Sequence, residues 1–460
     1  EINGNLIVHH YEKDKDGNDV SVYSDERTSG LVGSDYTTNY RTDIIGYTVD
    51  TNNMPSNKDG KYATTDTEVT YYYVKKDGVI DNPTTEKVAE NKEVESVNST
   101  FTYTITGSAT IKDYIGTYKV RATDYLPYKL DTTGMEELDE NVYKVNDRCV
   151  YDGNMTVVCE SVAKDITKNM YDSNKEYKVS ETFELSIKYL NIKNAIVTNR
   201  AKIDVILDNN SKPSEPTSED VTVKEGSVKA VYLDKNDESK KLEEEYTNTG
   251  LVGTSYETPF KPVFGYTLDK DPENKNGSYI DGETLVKYLY NKNKGTFVEE
   301  PEADKTGPDS VDSINSEFNY TITGTATIKD YVGTYKVKVV DTLPYSIDPE
   351  KSTLDNNRCI YDGNNTITCV SEEKTVTESN YVTTEDGEKV FNIEEKFTLV
   401  LVYNGITTES VKNSATVEII LDDNSKESPV DTVETKVKKG YLKRYAAVVS
   451  SSDKGAITSI

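Results

Sequence analysis

The sequence contains no apolar run of the ~18–20 residues that a membrane-spanning helix needs. No charged-then-apolar segment of the signal-peptide type opens it. We therefore expect no membrane insertion in this segment. Because Glu1 leads directly into a pattern typical of folded protein, we expect an internal or processed fragment, with the secretion signal and wall anchor outside it.

Basic residues are scarce: 53 Lys and Arg stand against 81 Asp and Glu, giving a formal net charge of −28. Nucleic-acid binding needs Lys and Arg against phosphates, so this composition argues against it. The same charge opposes docking on anionic lipid. We interpret the acidic surface as well solvated and self-repelling.

The chain also lacks the motifs of catalysis. It has no Gly-rich phosphate loop, no nucleophile elbow and no paired-histidine zinc helix. Its only histidines, His9 and His10, are adjacent, which favours a surface position on a strand over a ligand set. Residues 12–18 resemble a calcium loop but lack the Gly and closing Glu of an EF-hand, so Asp16-Gly17 predicts a hairpin turn. We expect no metal, no cofactor and no enzyme activity, apart from an autocatalytic crosslink considered below.

Tyrosine is the abundant aromatic residue, with 35 Tyr against 8 Phe and no Trp. Tyr, Thr and Val suit strands that are packed on one side and wet on the other. Alternating apolar and polar runs with frequent turn residues, and no convincing helical pattern, predict an all-β protein built of small sandwiches or barrels.

Long motifs occur twice, at a period of about 215 residues. Residues 101–114 recur as residues 318–331, and residues 30–33 recur as residues 250–253. Such a long period indicates duplicated domains rather than a solenoid.

Each repeat divides into a short first part and a longer second part. We predict short β modules at residues 1–82 and 226–298, alternating with longer β-sandwiches at residues 83–210 and 299–424 in an elongated chain. The segment 211–225 is rich in Pro, Ser and acids and is predicted to be an extended, semi-stiff linker. Residues 425–460 are predicted to hold a second linker and the start of a further unit or a tail.

The short modules share glycines and tyrosines at one spacing: Gly30, Gly33, Tyr36, Gly46 and Tyr47 in the first copy, and Gly250, Gly253, Tyr256, Gly265 and Tyr266 in the second. This pattern resembles the mucin-binding-protein (MucBP) repeats of Gram-positive surface proteins. The resemblance implies a ubiquitin-like β-grasp fold and mucin-type glycans or extracellular matrix as partners. From the residues alone, the glycines serve tight turns and the tyrosines pack a small sheet.

The longer parts carry Asp-Thr-Leu-Pro at residues 341–344 and Asn-Ser-Ala-Thr-Val at residues 413–417, with related segments at 124–127 and 199–203. This pattern is similar to the Ig-like repeats of collagen-adhesin-type and pilin proteins. The resemblance implies an intramolecular Lys–Asn isopeptide bond in each sandwich, with the candidates Lys87, Asp124, Asn199, Lys305, Asp341 and Asn413.

The isopeptide chemistry needs a dry core. Burial favours the neutral Lys amine and the protonated carboxylic acid that polarises the Asn amide. Two alternatives stay open at this point. Lys92 competes with Lys87, and the Asp and Asn of each copy could instead cap a turn and close the last strand by hydrogen bonds.

The four cysteines form two pairs at the same interval, around Asp-Gly-Asn turns. A hairpin centred on Asn154 places Cys149 opposite Cys159. The second pair, Cys359 and Cys369, has the same relation. An even, duplicated set favours disulfides over metal, and hence an extracellular compartment at the cell surface or cell wall.

Together these features predict a non-enzymatic repeat region of a surface adhesin, acting as a stalk that projects a distal binding domain. In one alternative the repeats themselves bind mucin-type glycans. In another the chain self-associates as a subunit of an extracellular fibre or surface layer.

Overall fold

The computed structural model describes residues 2–355 and 357–440. Its regular elements in these ranges are β-strands, except for two single 3-10 turns at Lys168–Met170 and Glu378–Asn380. The predicted all-β class is therefore confirmed. The described ranges contain no helix long and apolar enough to cross a membrane. The predicted tail after residue 440 lies outside the described residues.

The chain separates into two compact units. Among the described residues, the first contains residues 2–229, 247–258 and 276–285, and the second contains residues 230–246, 259–275, 286–355 and 357–440. Each unit includes one β-sandwich and strands of the small modules.

The first small module has six strands: β1 (Asn3–Lys13), β2 (Asp19–Leu31), β3 (Asp35–Thr37), β4 (Tyr47–Val49), β5 (Asp59–Lys61) and β6 (Thr67–Lys75). The sheet order is β2-β1-β6-β4, with β3 and β5 forming a separate pair. Alternating residues such as Leu6, Val8, Val69 and Tyr71 fill its core. Residues 14–18 form the predicted hairpin turn, in which the Asp14 carboxylate accepts backbone N–H bonds.

The first sandwich contains β7 (Val79–Ala89), β8 (Glu93–Val94), β9 (Phe101–Lys112), β10 (Gly116–Tyr125), β11 (Glu136–Asp139), β12 (Val142–Asn146), β13 (Cys149–Tyr151), β14 (Thr156–Glu160), β15 (Lys164–Ile166), β16 (Glu176–Ile187), β17 (Ile196–Leu207), β18 (Ser211–Pro213) and β19 (Thr217–Val223). One sheet has the order β16-β9-β7. The other runs β11-β12-β13-β14-β10-β17-β19-β8, with β15 beside β10 and β18 beside β17.

The two sheets of this sandwich enclose one apolar core. Every second residue of β9 is buried, as expected for a strand with one face on the core. A glycine in mid-strand brings the sheets close: a Cβ atom at Gly107 would lie 2.9 Å from Ile203 on β17. The core is thus tightly packed at the level of the candidate crosslink.

The second small module has the strands β20 (Glu225–Asp234), β21 (Asp237–Lys241), β22 (Tyr246–Leu251), β23 (Ser255–Glu257), β24 (Tyr266–Leu268), β25 (Asn276–Ser278) and β26 (Gly282–Lys292). The sheet order β21-β20-β26-β24 corresponds to the order in the first module.

The second sandwich repeats the first with β27 (Thr296–Thr306), β28 (Ser310–Val311), β29 (Phe318–Lys329), β30 (Gly333–Thr342), β31 (Cys359–Tyr361), β32 (Thr366–Val370), β33 (Lys374–Val376), β34 (Val382–Thr383), β35 (Lys389–Leu401), β36 (Ser410–Leu421), β37 (Ser425–Glu427) and β38 (Asp431–Val437). Its sheets have the orders β27-β29-β35-β34 and β28-β38-β36-β30-β32-β31, and they enclose the second core.

The segment predicted as a linker, residues 211–225, is extended but is part of the sheet. Strands β18 and β19 pair with β17, and β19 also pairs in parallel with β8. The Pro- and Ser-rich start of the segment suggested a free linker, whereas its end alternates and buries Val221 and Val223. The second predicted linker, from residue 425, likewise contains the paired strands β37 and β38.

This correction predicts that β19 contributes to the stability of the first sandwich. Val221 is 1% exposed. We expect Val221→Ala to lower the free energy of unfolding of this sandwich by about 1–3 kcal/mol, because it deletes two buried methyl groups and leaves a cavity. Ser218→Ala, on the exposed face of the same strand, is the matched control and should change it by less than about 0.5 kcal/mol. Denaturant unfolding measures both, and equal stability of the two variants would contradict a structural role for β19.

Candidate functional site

The candidate site of the first sandwich lies between its two sheets. Lys87 comes from β7 of the small sheet, whereas Asp124 and Asn199 come from the neighbouring strands β10 and β17 of the large sheet. Asp124 pairs with Ala201 across these strands, so Asn199, two residues away from Ala201, faces the same side. The sequence order Lys, Asp, Asn is thus brought to one point in the core.

One carboxylate joins the other two groups. The Nζ atom of Lys87 contacts Oδ1 of Asp124, and Nδ2 of Asn199 donates a hydrogen bond of 3.0 Å to Oδ2 of Asp124. The side chains of Lys87 and Asp124 are 0% and 1% exposed. A lysine amine, a carboxyl group and a primary amide therefore meet in the core of the sandwich.

The second sandwich repeats this geometry. Lys305 on β27 contacts Oδ1 of Asp341 on β30, and Asn413 on β36 donates to Oδ2 of Asp341 at 3.2 Å. All three residues are buried. Because the same Lys–Asp–Asn contacts occur in both copies, we attribute them to the shared fold of the sandwiches.

Burial sets the protonation of both pairs. Removal from water lowers the pKa of Lys87 and raises the pKa of Asp124, and the attraction between the two groups opposes both shifts. The pKa of Lys305 is lowered and the pKa of Asp341 is raised for the same reason. Both shifts favour a neutral amine beside a protonated acid, since a charged pair in a dry core costs several kcal/mol per ion.

The structure separates Lys87 from its competitor. The side chain of Lys92 is 68% exposed and forms an ion pair with Glu219 on β19. Lys92 therefore has no contact with Asp124 or Asn199. The alternative roles for Asp124 and Asn199, a turn cap and a strand closure, are not the contacts found, because the two side chains bond to each other and to Lys87.

A pair of tyrosines that sequence reasoning missed lines each site. Lys87 Nζ lies 4.5 Å from the ring centroid of Tyr103, and Lys305 Nζ lies 4.8 Å from that of Tyr320. Tyr189 and Tyr403 are the second members of the two pairs, and all four rings are nearly or fully buried. The sequence does contain an indication of these residues, since Tyr103 and Tyr320 occupy the same place in the longest repeated motif.

Each sandwich also holds a disulfide at the predicted position. Cys149 on β13 lies directly opposite Cys159 on β14, and Cys359 on β31 lies opposite Cys369 on β32. Both pairs are bonded. The hairpin geometry inferred from the Asp-Gly-Asn turns is thus confirmed.

The two histidines differ from each other. His9 is partly covered and bonds Asp25, whereas His10 is fully buried and its Nδ1 lies 2.9 Å from the hydroxyl of Tyr73. The predicted surface position is therefore wrong for His10, because the strand alternates and turns it into the core of the module. The described residues contain no cluster of three or more metal-ligating side chains.

His10 predicts a pH dependence of the first small module. Burial lowers the pKa of His10 below 6.5, an effect that Arg41 and His9 reinforce and Glu26 and Asp25 oppose. The neutral imidazole therefore stabilises the folded module fully above pH ~6.5, and this contribution is lost as the pH falls below that value, since the unfolded chain binds the proton more readily.

We expect hydrogen exchange of β1, measured relative to the intrinsic exchange rate at each pH, to accelerate between about pH 6.5 and 5 in the parent chain. This acceleration should be weaker in His10→Phe, which cannot titrate, and should persist in the control His9→Gln. An unchanged acceleration in His10→Phe would refute the assignment.

Comparison with known proteins identifies the small modules. Residues 6–74 and 227–291 match the MucBP domain family. The predicted resemblance of the two small modules to the MucBP repeats of surface proteins is therefore confirmed.

Two curated relatives are both Internalin J of Listeria monocytogenes. The protein of a serotype 4b strain is 28% identical over 313 residues, covering 64% of this chain and 31% of the relative. The protein of a serovar 1/2a strain is 26% identical over 309 residues, covering 64% and 33%. This chain thus spans about a third of the length of the curated relatives that it matches.

Solved structures with local similarity include pilins. The major pilin subunit BcpA of Bacillus cereus is 16% identical, covers 63% of this chain and 99% of its own, and has a TM-score of 0.24. The full-length major pilin SpaD of Corynebacterium diphtheriae is 14% identical, covers 63% and 97%, and has a TM-score of 0.21.

Proposed function

We propose that this chain, which carries two MucBP domains, is a load-bearing stalk segment of a surface adhesin, and that a Lys–Asn isopeptide bond closes each of its sandwiches. The observation that carries the proposal is the buried contact of Lys87, Asp124 and Asn199, which recurs at Lys305, Asp341 and Asn413.

These contacts support a reaction in which one Lys–Asn amide bond forms and one ammonia is released. The neutral amine of Lys87 attacks Cγ of Asn199, while the protonated Asp124 lies against Nδ2, the nitrogen that leaves. A C–N bond forms between Lys87 and Asn199, and the bond from Cγ to Nδ2 breaks. The second proton of the Lys amine passes through the carboxylate to the leaving nitrogen, and one ammonia departs. No oxidant, metal or cofactor is needed.

The position of the bond suits a stalk. Lys87 lies on the first long strand of the sandwich and Asn199 on its last long strand. A pull on the two ends of the sandwich would reach β7 directly and β17 through its neighbour β19. Strand pairs resist through hydrogen bonds of about 0.5–1.5 kcal/mol net each, whereas a covalent bridge between these strands would carry the load around the rest of the sandwich.

Intact mass tests the crosslink. We expect the parent chain, after reduction of its disulfides, to be lighter than its sequence mass by two ammonia molecules. Lys87→Ala should lose only one, because the second sandwich keeps its own site. Lys92→Ala, the matched control at an exposed lysine, should still lose two.

The result that would contradict the crosslink is a reduced parent chain at its full sequence mass. If Lys92→Ala were lighter than its sequence mass by one ammonia and Lys87→Ala by two, then Lys92 and not Lys87 would form the bond.

Glycan binding by the MucBP domains is a second candidate, favoured by an aromatic residue exposed at the same place in each. Tyr40 is 43% exposed beside Tyr71, and Phe260 is 54% exposed beside Tyr290. Flat, exposed aromatic rings suit stacking on sugars. A glycan array comparing the parent chain with the double variant Tyr40→Ala/Phe260→Ala distinguishes this activity from a purely structural stalk.

A further inference from the structure

The core of each sandwich holds polar atoms that have no partner in the described part of the chain. In the first sandwich these are the hydroxyls of Tyr103 and Tyr189 and Oδ1 of Asn199. In the second they are the hydroxyls of Tyr320 and Tyr403, Oδ1 of Asn413 and the hydroxyl of Thr435. Buried polar groups are nearly always hydrogen-bonded, so this recurring exception needs an explanation.

The unpaired atoms lie beside the reacting groups. The Tyr103 ring covers the Lys87 amine at 4.5 Å. The side chains of Tyr189 and Asn199 are near enough to the Tyr103 hydroxyl to lower its pKa, against the larger effect of burial, which raises it. In the second sandwich Tyr403 and Asn413 act on the pKa of Tyr320 in the same way, and Thr435 is an additional neighbour that the first sandwich lacks. In each sandwich the unpaired hydroxyl and the unpaired Asn oxygen thus belong to residues that contact the same lysine–aspartate pair.

We propose that Tyr103 and Tyr320 are the oxyanion donors of isopeptide formation, each backed by the second tyrosine of its pair, Tyr189 or Tyr403. This inference rests on the proposed crosslink. When the Lys87 amine adds to Cγ of Asn199, the amide oxygen Oδ1 becomes an oxyanion. The Tyr103 hydroxyl donates a hydrogen bond to that oxygen while the intermediate lasts, and Tyr189 donates to Tyr103. When ammonia leaves, the same hydroxyl bonds the carbonyl oxygen of the new amide.

The geometry explains why a tyrosine occupies a position that a phenylalanine would fill. A hydroxyl without a partner disfavours burial, whereas a donor aimed at the site of developing charge lowers the barrier in a dry core. If Tyr103 served only to pack the core, the ring of a phenylalanine would be sufficient.

Thr435 supplies a built-in comparison. Its place on β38, opposite Val411, corresponds to that of Val221 on β19, opposite Val197. The first sandwich thus has a methyl group where the second has a hydroxyl. Only the tyrosine hydroxyls and the Asn oxygen are unpaired in both sandwiches. The proposed stabilisation of the oxyanion therefore does not require the Thr435 hydroxyl.

The test follows both crosslinks during synthesis of the full chain. The 460-residue protein and its variants are made in a cell-free system, and timed samples are denatured, reduced, digested and quantified by mass spectrometry for each Lys–Asn junction. A protease pulse on parallel samples reports the folded fraction. The variants are Tyr103→Phe, Tyr320→Phe and, as control, Thr435→Val, which copies the first sandwich.

We expect Tyr103→Phe to slow the first crosslink by about 10²-fold, as for the loss of one oxyanion donor, and to leave the second at the parent rate. Tyr320→Phe should do the converse, and Thr435→Val should change neither. Protease resistance should develop at the parent rate in all three.

Two results would overturn the oxyanion role. One is a Tyr103→Phe chain that crosslinks its first sandwich at the parent rate. The other is a slow crosslink accompanied by equally slow protease resistance, which would place the effect on folding. A parent chain that forms no crosslink at all would instead refute the proposed isopeptide itself, so the two failures are distinguishable.

Discussion

The burial of a lysine against an aspartate in each sandwich is the constraint on which the rest of the structure depends. A charged pair at this depth would carry a large desolvation cost, and a neutral pair still leaves donors and acceptors to satisfy. The fold meets this by placing an asparagine on the next strand, so that both oxygens of Asp124 have partners. Strand register, rather than a loop, holds all three groups.

Register also explains why the arrangement survives duplication. In both copies the Asp strand lies between the strand of the disulfide hairpin and the strand of the asparagine. A slip of one residue would turn either polar side chain out of the core, so the site and the sandwich are specified by the same alternation. The mid-strand glycines Gly107 and Gly324 leave room for Ile203 and Val417 of the facing sheet, because a Cβ atom at either glycine would lie less than 3.0 Å from them.

Much of this could be predicted from the sequence. Alternation and turn residues predicted an all-β fold, and the Asp-Gly-Asn turns predicted the cysteine pairing. The resemblance to collagen-adhesin-type repeats predicted the candidates Lys87, Asp124 and Asn199. The tyrosines were missed because a buried and an exposed tyrosine look alike in a sequence that has 35 of them. The final strand β19 was not predicted, because two prolines in the segment indicated a linker and the alternating run that follows them is short. Its strand conformation depends on pairing with β17, which the local sequence does not show.

Single-molecule pulling under reducing conditions tests the central claim most directly. If a Lys–Asn bond closes each sandwich, the residues between Lys87 and Asn199, and between Lys305 and Asn413, add no length at any force below covalent rupture. Only the MucBP domains and the sandwich ends then extend. Two further unfolding steps, each releasing the length of a whole sandwich at ~3.3–3.6 Å per residue, would contradict the account.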